Sequence, residues 1–468
     1  MKTTRQSGLS LCKTKTRPDL RRKSGIAGLN FLSKLGVCLA FGLLLSTIQS
    51  AFAQDVGVTR KHVASDPAAE ELNRLLTAAQ SAVNAKDYAT AAQNYQAYLA
   101  KKPDDAEVHF NLGYVYTAMQ RPADAKSEYE KAISLDSKMS PAYLNLGLTL
   151  LGSDPSAAID PLQHAVDLMP DQPRPKLLLG TALERTGKPA LAIEQYQAAA
   201  KLDDKNFEIR FALGRTLLAV HRPAEAEPEF RTAVQLNPSA PEARLGLAES
   251  LLAQNKFDAA ALELGAYLQA RPNDASARIE YASVLADSGK YDDAIAQLDQ
   301  AAAVRPDDLH SLKLRVQIYW VQKKYESALP SLQKAQSIAP NDPDIAAKLG
   351  HAYLAKKNYA EALQQLATAY RLDPTANGVL VDLAEAEYDN KNYATALQAL
   401  DALAKREELP PASWFFRAAC YDKLEQPEQA LDAYQKFLQL NVDQNSDMYF
   451  EATSRVRFLK RELENKKK

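Results

Sequence analysis

The chain has 468 residues, 46% hydrophobic and 25% charged with only 17 Gly, which is too apolar for intrinsic disorder and too polar for a multi-span membrane protein. Its formal charge of −1 hides an asymmetry: residues 1–53 carry nine Lys or Arg and one acid, Asp19, leaving 48 basic and 57 acidic side chains, a net −9, on the rest. That acidic body argues against sequence-independent binding to nucleic acid or anionic lipid, which draws its affinity from neutralised phosphates.

The basic N-terminal stretch runs into an apolar segment, Leu35 to Leu45, and then to Ala51-Phe52-Ala53 before Gln54. This order predicts a secretory signal cleaved after Ala53 and a periplasmic or secreted body. The apolar segment is short for a membrane span, and Thr47, Gln49 and Ser50 interrupt its extension. If retained, it would anchor the chain in the inner membrane with the body still outside the cytoplasm. Cys38 follows Leu35-Gly36-Val37, but Val stands where a lipoprotein box needs a small residue, so lipidation is not expected. Arg21-Arg22 is followed by Lys23-Ser24-Gly25 and lacks the apolar residues of a twin-arginine signal. Cys12 and Cys38 leave with the leader, and Cys420 alone can form neither an intramolecular disulfide nor a cysteine zinc site.

From Leu72 to Gln444 the chain divides into eleven units, ten of 34 residues and one of 33. They begin at Leu72, Ala106, Ser140, Pro173, Phe207, Pro241, Ala275, Leu309, Pro343, Asn377 and Pro411, and the third is short by one residue near Ser153-Asp154-Pro155. Residues 54–71 read as a linker and N-terminal cap, with Asp66-Pro67 opening a helix, and residues 445–468 as a capping helix with a basic tail. Position 20 is alanine in every unit, from Ala91 to Ala430, and position 8 is Ala or Gly in all but one, where Val316 stands. Small residues at both places let two helices approach closely. Positions 4, 7, 8 and 11, as in His109, Leu112, Gly113 and Tyr116, form one face of a first helix; Ala226, Phe230 and Ala233 do so for a second. Seven units place Pro at position 32, from Pro103 to Pro374, where it stops the second helix.

These residues resemble the tetratricopeptide repeat, best seen in Tyr143, Leu146, Gly147, Ala158, Ala165 and Pro170, and in Trp414, Ala418, Tyr421, Ala430 and Tyr434. The resemblance implies an all-α fold: a right-handed superhelical solenoid of about eleven helix-turn-helix repeats with a C-terminal capping helix. Ser137, Asp204, Glu408 and Val442 replace the proline at position 32 and leave those helix ends open. Beyond Gln444, Met448, Ala452, Val456, Leu459 and Leu463 share one side of the cap, with Arg457, Lys460 and Arg461 facing water.

Residues 54–71 and 445–468 are too short for a catalytic domain, so neither an enzyme nor a cofactor is expected. His62, His109, His164, His221, His310 and His351 fall at different repeat positions without metal-ligand spacing, and read as solvated or hydrogen-bonded side chains. Cys420 reads as a small buried thiol and Trp414 as a buried core residue at position 4.

The resemblance also implies that positions 2, 5, 9, 12 and 13 line the concave surface. Position 5 then supplies Leu76, Phe110, Leu144, Leu177, Phe211, Leu245, Ile279, Lys313, Ala347, Val381 and Phe415, ten of eleven apolar. Two readings stay open: a hydrophobic track for a peptide, or packing within the inner helix layer. The same positions carry ten acids, Glu107, Glu184, Glu208, Glu242, Glu249, Asp287, Asp344, Glu385, Asp389 and Asp422, against five bases, Arg174, Arg185, Arg215, Lys313 and Lys423. The expected partner is therefore a protein or peptide with apolar anchors and basic flanks. A carbohydrate-binding groove is the rival, disfavoured because the lining has few aromatic platforms. A chaperone-tail clamp is disfavoured as well, because Lys313 is joined by Gln317 and Lys348 rather than asparagines. Tyr114 and Arg215 occupy position 9 of the same surface. The eighth repeat stands apart: Val316 replaces the small residue, Lys313 breaks the track and Trp320 takes position 12, flanked in expectation by Gln317, Lys313 and His351. Two readings of Trp320 stay open, a contact site or a ring lying flat against its neighbours.

Overall fold

A computed structural model describes residues 67–440 and 443–466. The expected leader, its cleavage point, Cys12, Cys38, His62 and the Asp66 cap lie outside the described residues. Those described form two compact units, 67–272 and 273–466, divided between the sixth and seventh repeats. The first unit holds α1 (Pro67–Asn84), α2 (Tyr88–Leu99), α3 (Ala106–Ala118), α4 (Pro122–Leu135), α5 (Ser140–Ser153), α6 (Pro155–Leu168), α7 (Pro173–Arg185), α8 (Pro189–Leu202), α9 (Phe207–Ala219), α10 (Pro223–Leu236), α11 (Pro241–Ala253) and α12 (Phe257–Ala270). The second holds α13 (Ala275–Asp287), α14 (Tyr291–Val304), α15 (Leu309–Val321), α16 (Tyr325–Ile338), α17 (Pro343–Ala355), α18 (Tyr359–Leu372), α19 (Asn377–Asp389), α20 (Tyr393–Ala404), α21 (Pro411–Lys423), α22 (Pro427–Gln439) and α23 (Asp447–Lys466). Each odd-numbered helix through α21 opens a repeat, the next even-numbered one closes it, and α23 packs on α22 as the cap. No strand occurs among the described residues, and no helix there is long and apolar enough to cross a membrane.

Size complementarity holds each helix pair together. Ala91, Ala125, Ala158, Ala192, Ala226, Ala260, Ala294, Ala328, Ala362, Ala396 and Ala430 are all fully buried at 0% exposure, where a larger side chain would force the helices apart. Position 8 of the first helix faces the bulky residue at position 24 of the second: a Cβ on Gly113, Gly147, Gly180 or Gly350 would collide with Tyr129, Leu162, Tyr196 or Leu366. Phe230, itself 0% exposed, is pressed by glycines on both sides, Gly214 within its own repeat and Gly246 from the next.

Turn chemistry completes the repeat. The residue at position 15 has positive φ in ten repeats, as Gly187 and Gly289 but also as Lys86, Gln120, His221, Asn255, Lys323, Lys357, Lys391 and Glu425. The third repeat lacks this residue: α5 ends at Ser153, and Asp154 caps α6 directly through the Ala157 amide, which accounts for its 33-residue length. Between repeats, Asp105, Asn206, Asp308 and Asp342 accept amide hydrogens of the following helix. The second helices of repeats two and four, which lack the position-32 proline, still stop at Leu135 and Leu202, as the proline-bearing ones do at Leu236 and Leu372. An Asx residue just beyond explains it: Asp136 and Asp203 accept from Lys138 N and Lys205 N, as Asn237 and Asp373 do from Ser239 and Thr375.

Candidate partner-binding surface

Within each unit, the first helices of several successive repeats touch one another and form a shared layer. Position 5 lies on this layer, and its side chains divide into two kinds. Leu76, Phe110, Leu144, Leu177, Phe211, Ala347 and Val381 are half-buried. Phe110 leans on Tyr129 and Phe211 on Phe230, with ring centroids 5.9 Å apart in each case. Leu144 borders a shallow, open depression with Leu168, Met169 and Arg174. Three members of the expected track need correction: Leu245, Ile279 and Phe415 are only 9%, 5% and 6% exposed. Ile279 belongs to the cluster with Leu314 and Ile318, and Phe415 lies 5.8 Å from Tyr434 and 5.5 Å from Phe437, so these side chains serve packing. Lys313 is exposed and reaches Asp342 at 2.6 Å.

Several charges on this surface are already paired. Arg215 meets Glu184 at 2.7 Å, and Glu184 in turn accepts from the Tyr196 hydroxyl at 3.0 Å. Arg271 meets Glu242 at 2.9 Å, Lys348 meets Asp344, and Arg455 grips Asp422 at 2.6 and 2.7 Å. Arg185 donates to the Leu151 carbonyl. Tyr114 is half-buried, and burial, with a smaller contribution from Tyr88, raises its phenol pKa.

The eighth to tenth repeats bring aromatic rings and titratable side chains together on this surface. Trp320 is half-buried, 4.8 Å from Tyr325 edge-on and 5.3 Å from His351, while Tyr325 and His351 are themselves 4.8 Å apart. His351 Nδ1 lies 3.1 Å from Asp382 Oδ2 on α19. Burial opposes charge on His351, but the Asp382 carboxylate, helped by Glu385, outweighs it and raises the imidazole pKa. Glu385 is partly buried on the same face of α19, and burial together with the nearby Asp382 and Asp389 carboxylates pushes it up to about 7. Asp389 is raised by burial, against the opposing effects of the Tyr359 hydroxyl and Lys357. A histidine–carboxylate pair thus adjoins a carboxyl raised to about 7, beside the rings of Trp320 and Tyr325. Such a site can accept a cation or a hydrogen-bond donor next to an apolar anchor.

Of the expected neighbours of Trp320, the structure brings in His351. Lys313 turns to Asp342 instead, because its ammonium finds a carboxylate there; Gln317 is half-buried on the same helix. Tyr325, Tyr359 and Asp382 were not singled out by the sequence reading. The signal was available: position 17 is aromatic in six repeats, as Tyr88, Phe257, Tyr291, Tyr325, Tyr359 and Tyr393. Trp414, expected to be fully buried, is half-buried: it packs against the Leu380/Leu403/Leu409 and Phe415/Tyr434 clusters, its indole nitrogen is enclosed without a hydrogen-bond partner, and Arg417, paired with Asp401, lies 5.7 Å from its ring centroid. Cys420 is 0% exposed, and burial pushes its thiol up to about 12. His109 is hydrogen-bonded to Glu128 at 2.6 Å and to the Pro103 carbonyl at 2.9 Å, His164 stacks on Tyr143 at 5.0 Å, and His310 and His221 are exposed. Among the described residues no group of three or more His, Cys, Asp or Glu is placed to hold a metal ion.

Paired helices in a 34-residue register, with small residues at the crossings and a layer of first helices, define a helical-repeat protein. Models of the tetratricopeptide repeat match residues 76–138, 151–207, 177–219, 211–275, 281–343 and 381–445, and a second such model matches 320–369. The chain belongs to the tetratricopeptide repeat family. Among solved structures it is similar to MamA, at 24% identity over 36% of this chain and 93% of that one with a TM-score of 0.35. Yeast Tom70 is 14% identical, covering 84% of this chain and 96% of its own, with a TM-score of 0.31. YrrB, described as a repeat protein with an unusual peptide-binding site, is 21% identical over 48% and 98%, with a TM-score of 0.31. No curated protein matches the chain.

Proposed function

We propose that the chain is a non-catalytic interaction scaffold, exported from the bacterial cytoplasm, that binds a peptide or protein partner on its first-helix layer. Envelope assembly, secretion and polysaccharide export are the settings that suit such a scaffold. The observation that carries the reading is the surface around Trp320, where half-buried rings that rest on the core of the eighth and ninth repeats stand beside Glu385, a carboxyl with no ion pair among the described residues. Aromatic anchors concentrate binding energy, and a group of carboxyls answered at Glu385 only by His351 favours a partner with a basic side chain next to an apolar one. Export rests on the leader, and intact mass of protein from the native host tests it: a retained leader in the cytosolic fraction would overturn it.

Pull-down from an envelope extract identifies the partner, and titration of the purified chain with the captured peptide and with glycans tests its class. Trp320→Ala should weaken peptide binding by about 1–3 kcal/mol with little loss of helix content. Saturable glycan binding without peptide binding would transfer the assignment to the carbohydrate rival. If the variant unfolds while binding per folded molecule is unchanged, Trp320 is a packing residue and the site lies elsewhere.

A further inference from the structure

The cap helix α23 presents a second surface that partner binding on the first-helix layer does not use. Its inner side packs Ala452 and Leu459, with Met448 and Val456, against α22. Its outer side is not polar throughout, because Phe450 and Phe458 are 61% and 53% exposed. They sit eight residues apart, about 12 Å along one stripe of the helix. Phe458 is held in place from the side: the Arg455 guanidinium lies 4.7 Å from its ring centroid and is itself clamped on Asp422. A large aromatic ring kept outward at this cost in exposed apolar area marks a contact surface.

The charges around the two rings are ordered. Asp447 and Glu451 lie in the N-terminal half, Arg457 and Arg461 in the C-terminal half; all four are exposed, and none makes an ion pair among the described residues. Asp447 with Glu451, and Arg457 with Arg461, are like-charged at i,i+4 and so mildly destabilise the isolated helix. Counted outward from Ser454, the pattern reverses onto itself: Glu451 and Arg457 are three residues away, Phe450 and Phe458 four, Asp447 and Arg461 seven. A helix laid antiparallel on its own copy about Ser454 therefore sets each phenylalanine level with a phenylalanine and each acid level with a base. A two-fold axis requires this self-complementarity. The acids of the N-terminal half disfavour an anionic bilayer as the occupant.

We propose that a second copy of this chain docks on this face, with α23 against α23 antiparallel around Ser454, to form a homodimer presenting two partner-binding layers. The contact is small, so the dimer forms in the micromolar range and weakens with salt.

Sedimentation equilibrium of the full chain at micromolar concentrations, in low and high salt, reads the association. Arg457→Glu should weaken it at least tenfold, and the charge exchange Glu451→Arg with Arg457→Glu in one chain should restore it to near the parent value. Phe450→Ser with Phe458→Ser should abolish it at unchanged helix content, since both rings are exposed in the monomer. Ser454→Cys should give a disulfide-linked dimer on mild oxidation, and Lys460→Cys should not. A monomer at 100 μM, a charge exchange as weak as the single reversal, or binding only to anionic phospholipid vesicles would each overturn the proposal.

Discussion

Replacing Glu385 by Gln removes the carboxyl that burial, Asp382 and Asp389 raise from its ordinary value of 4.5 to about 7. Between those two values the folded state binds more protons than the unfolded chain, so stability is fully present below pH 4.5 and lost as the pH rises through about 7. The shift corresponds to at most about 3.4 kcal/mol, and the group's partial contact with water reduces this to about 1–2 kcal/mol. His351 acts in the same direction: its raised pKa contributes stability below its ordinary value of 6.5 that is lost as pH rises through the folded value. Both tryptophans, Trp320 and Trp414, lie in the unit of residues 273–466. A Trp414→Phe background therefore lets Trp320 fluorescence follow urea unfolding around this site. In that background the chain should lose stability between pH 5 and pH 8. Glu385→Gln should match its parent at pH 5, exceed it by about 1–2 kcal/mol at pH 8, and retain only the shallower slope due to His351. No gain at pH 8 would show that Glu385 is not strained by its neighbours, and the electrostatic reading of the site would fall.

Gly246→Ala should destabilise the unit of residues 67–272 by about 1–3 kcal/mol, measured by urea unfolding, because the new methyl collides with Phe230. Lys391→Gly should stabilise the tenth repeat by about 0.5–1 kcal/mol in the same assay, since the lysine sits at φ 66° without glycine's freedom. Cys420 should resist a thiol reagent at pH 8 in the folded chain and react fully in urea; rapid native labelling would contradict its burial.

The fold was legible because its constraints recur. Ala91 through Ala430 share one crossing, and an invariant small residue can be read from sequence even when no single repeat is decisive. The Asx stop at Asp136 and Asp203 went unread because proline at position 32 is the louder mark of the same turn. Surface positions were harder. Whether Ile279 or Phe415 faces water depends on the size and tilt of neighbouring side chains, which period alone does not carry. Trp414 shows the same gap: it packs on the core as its position implies, yet part of its ring stays uncovered beside Arg417. Tyr325 meets His351 across a repeat boundary, a contact visible only when position 17 is read against the following repeat.

Phe230 bears on how such an array can be cut and rejoined. A graft that begins each module at position 1 carries the ring with Gly214 but leaves Gly246 behind, whereas a graft spliced at the position-15 turn does the reverse. Either transplant brings the ring against a neighbour chosen for some other side chain. The smallest portable fragment that keeps this lock intact is the run of three helices α9, α10 and α11, one more than the 34-residue period suggests. Recombination that respects only the period would produce junctions of unequal fit, and the tolerated breakpoints would fall where an alanine or leucine, rather than an enclosed aromatic ring, meets the seam.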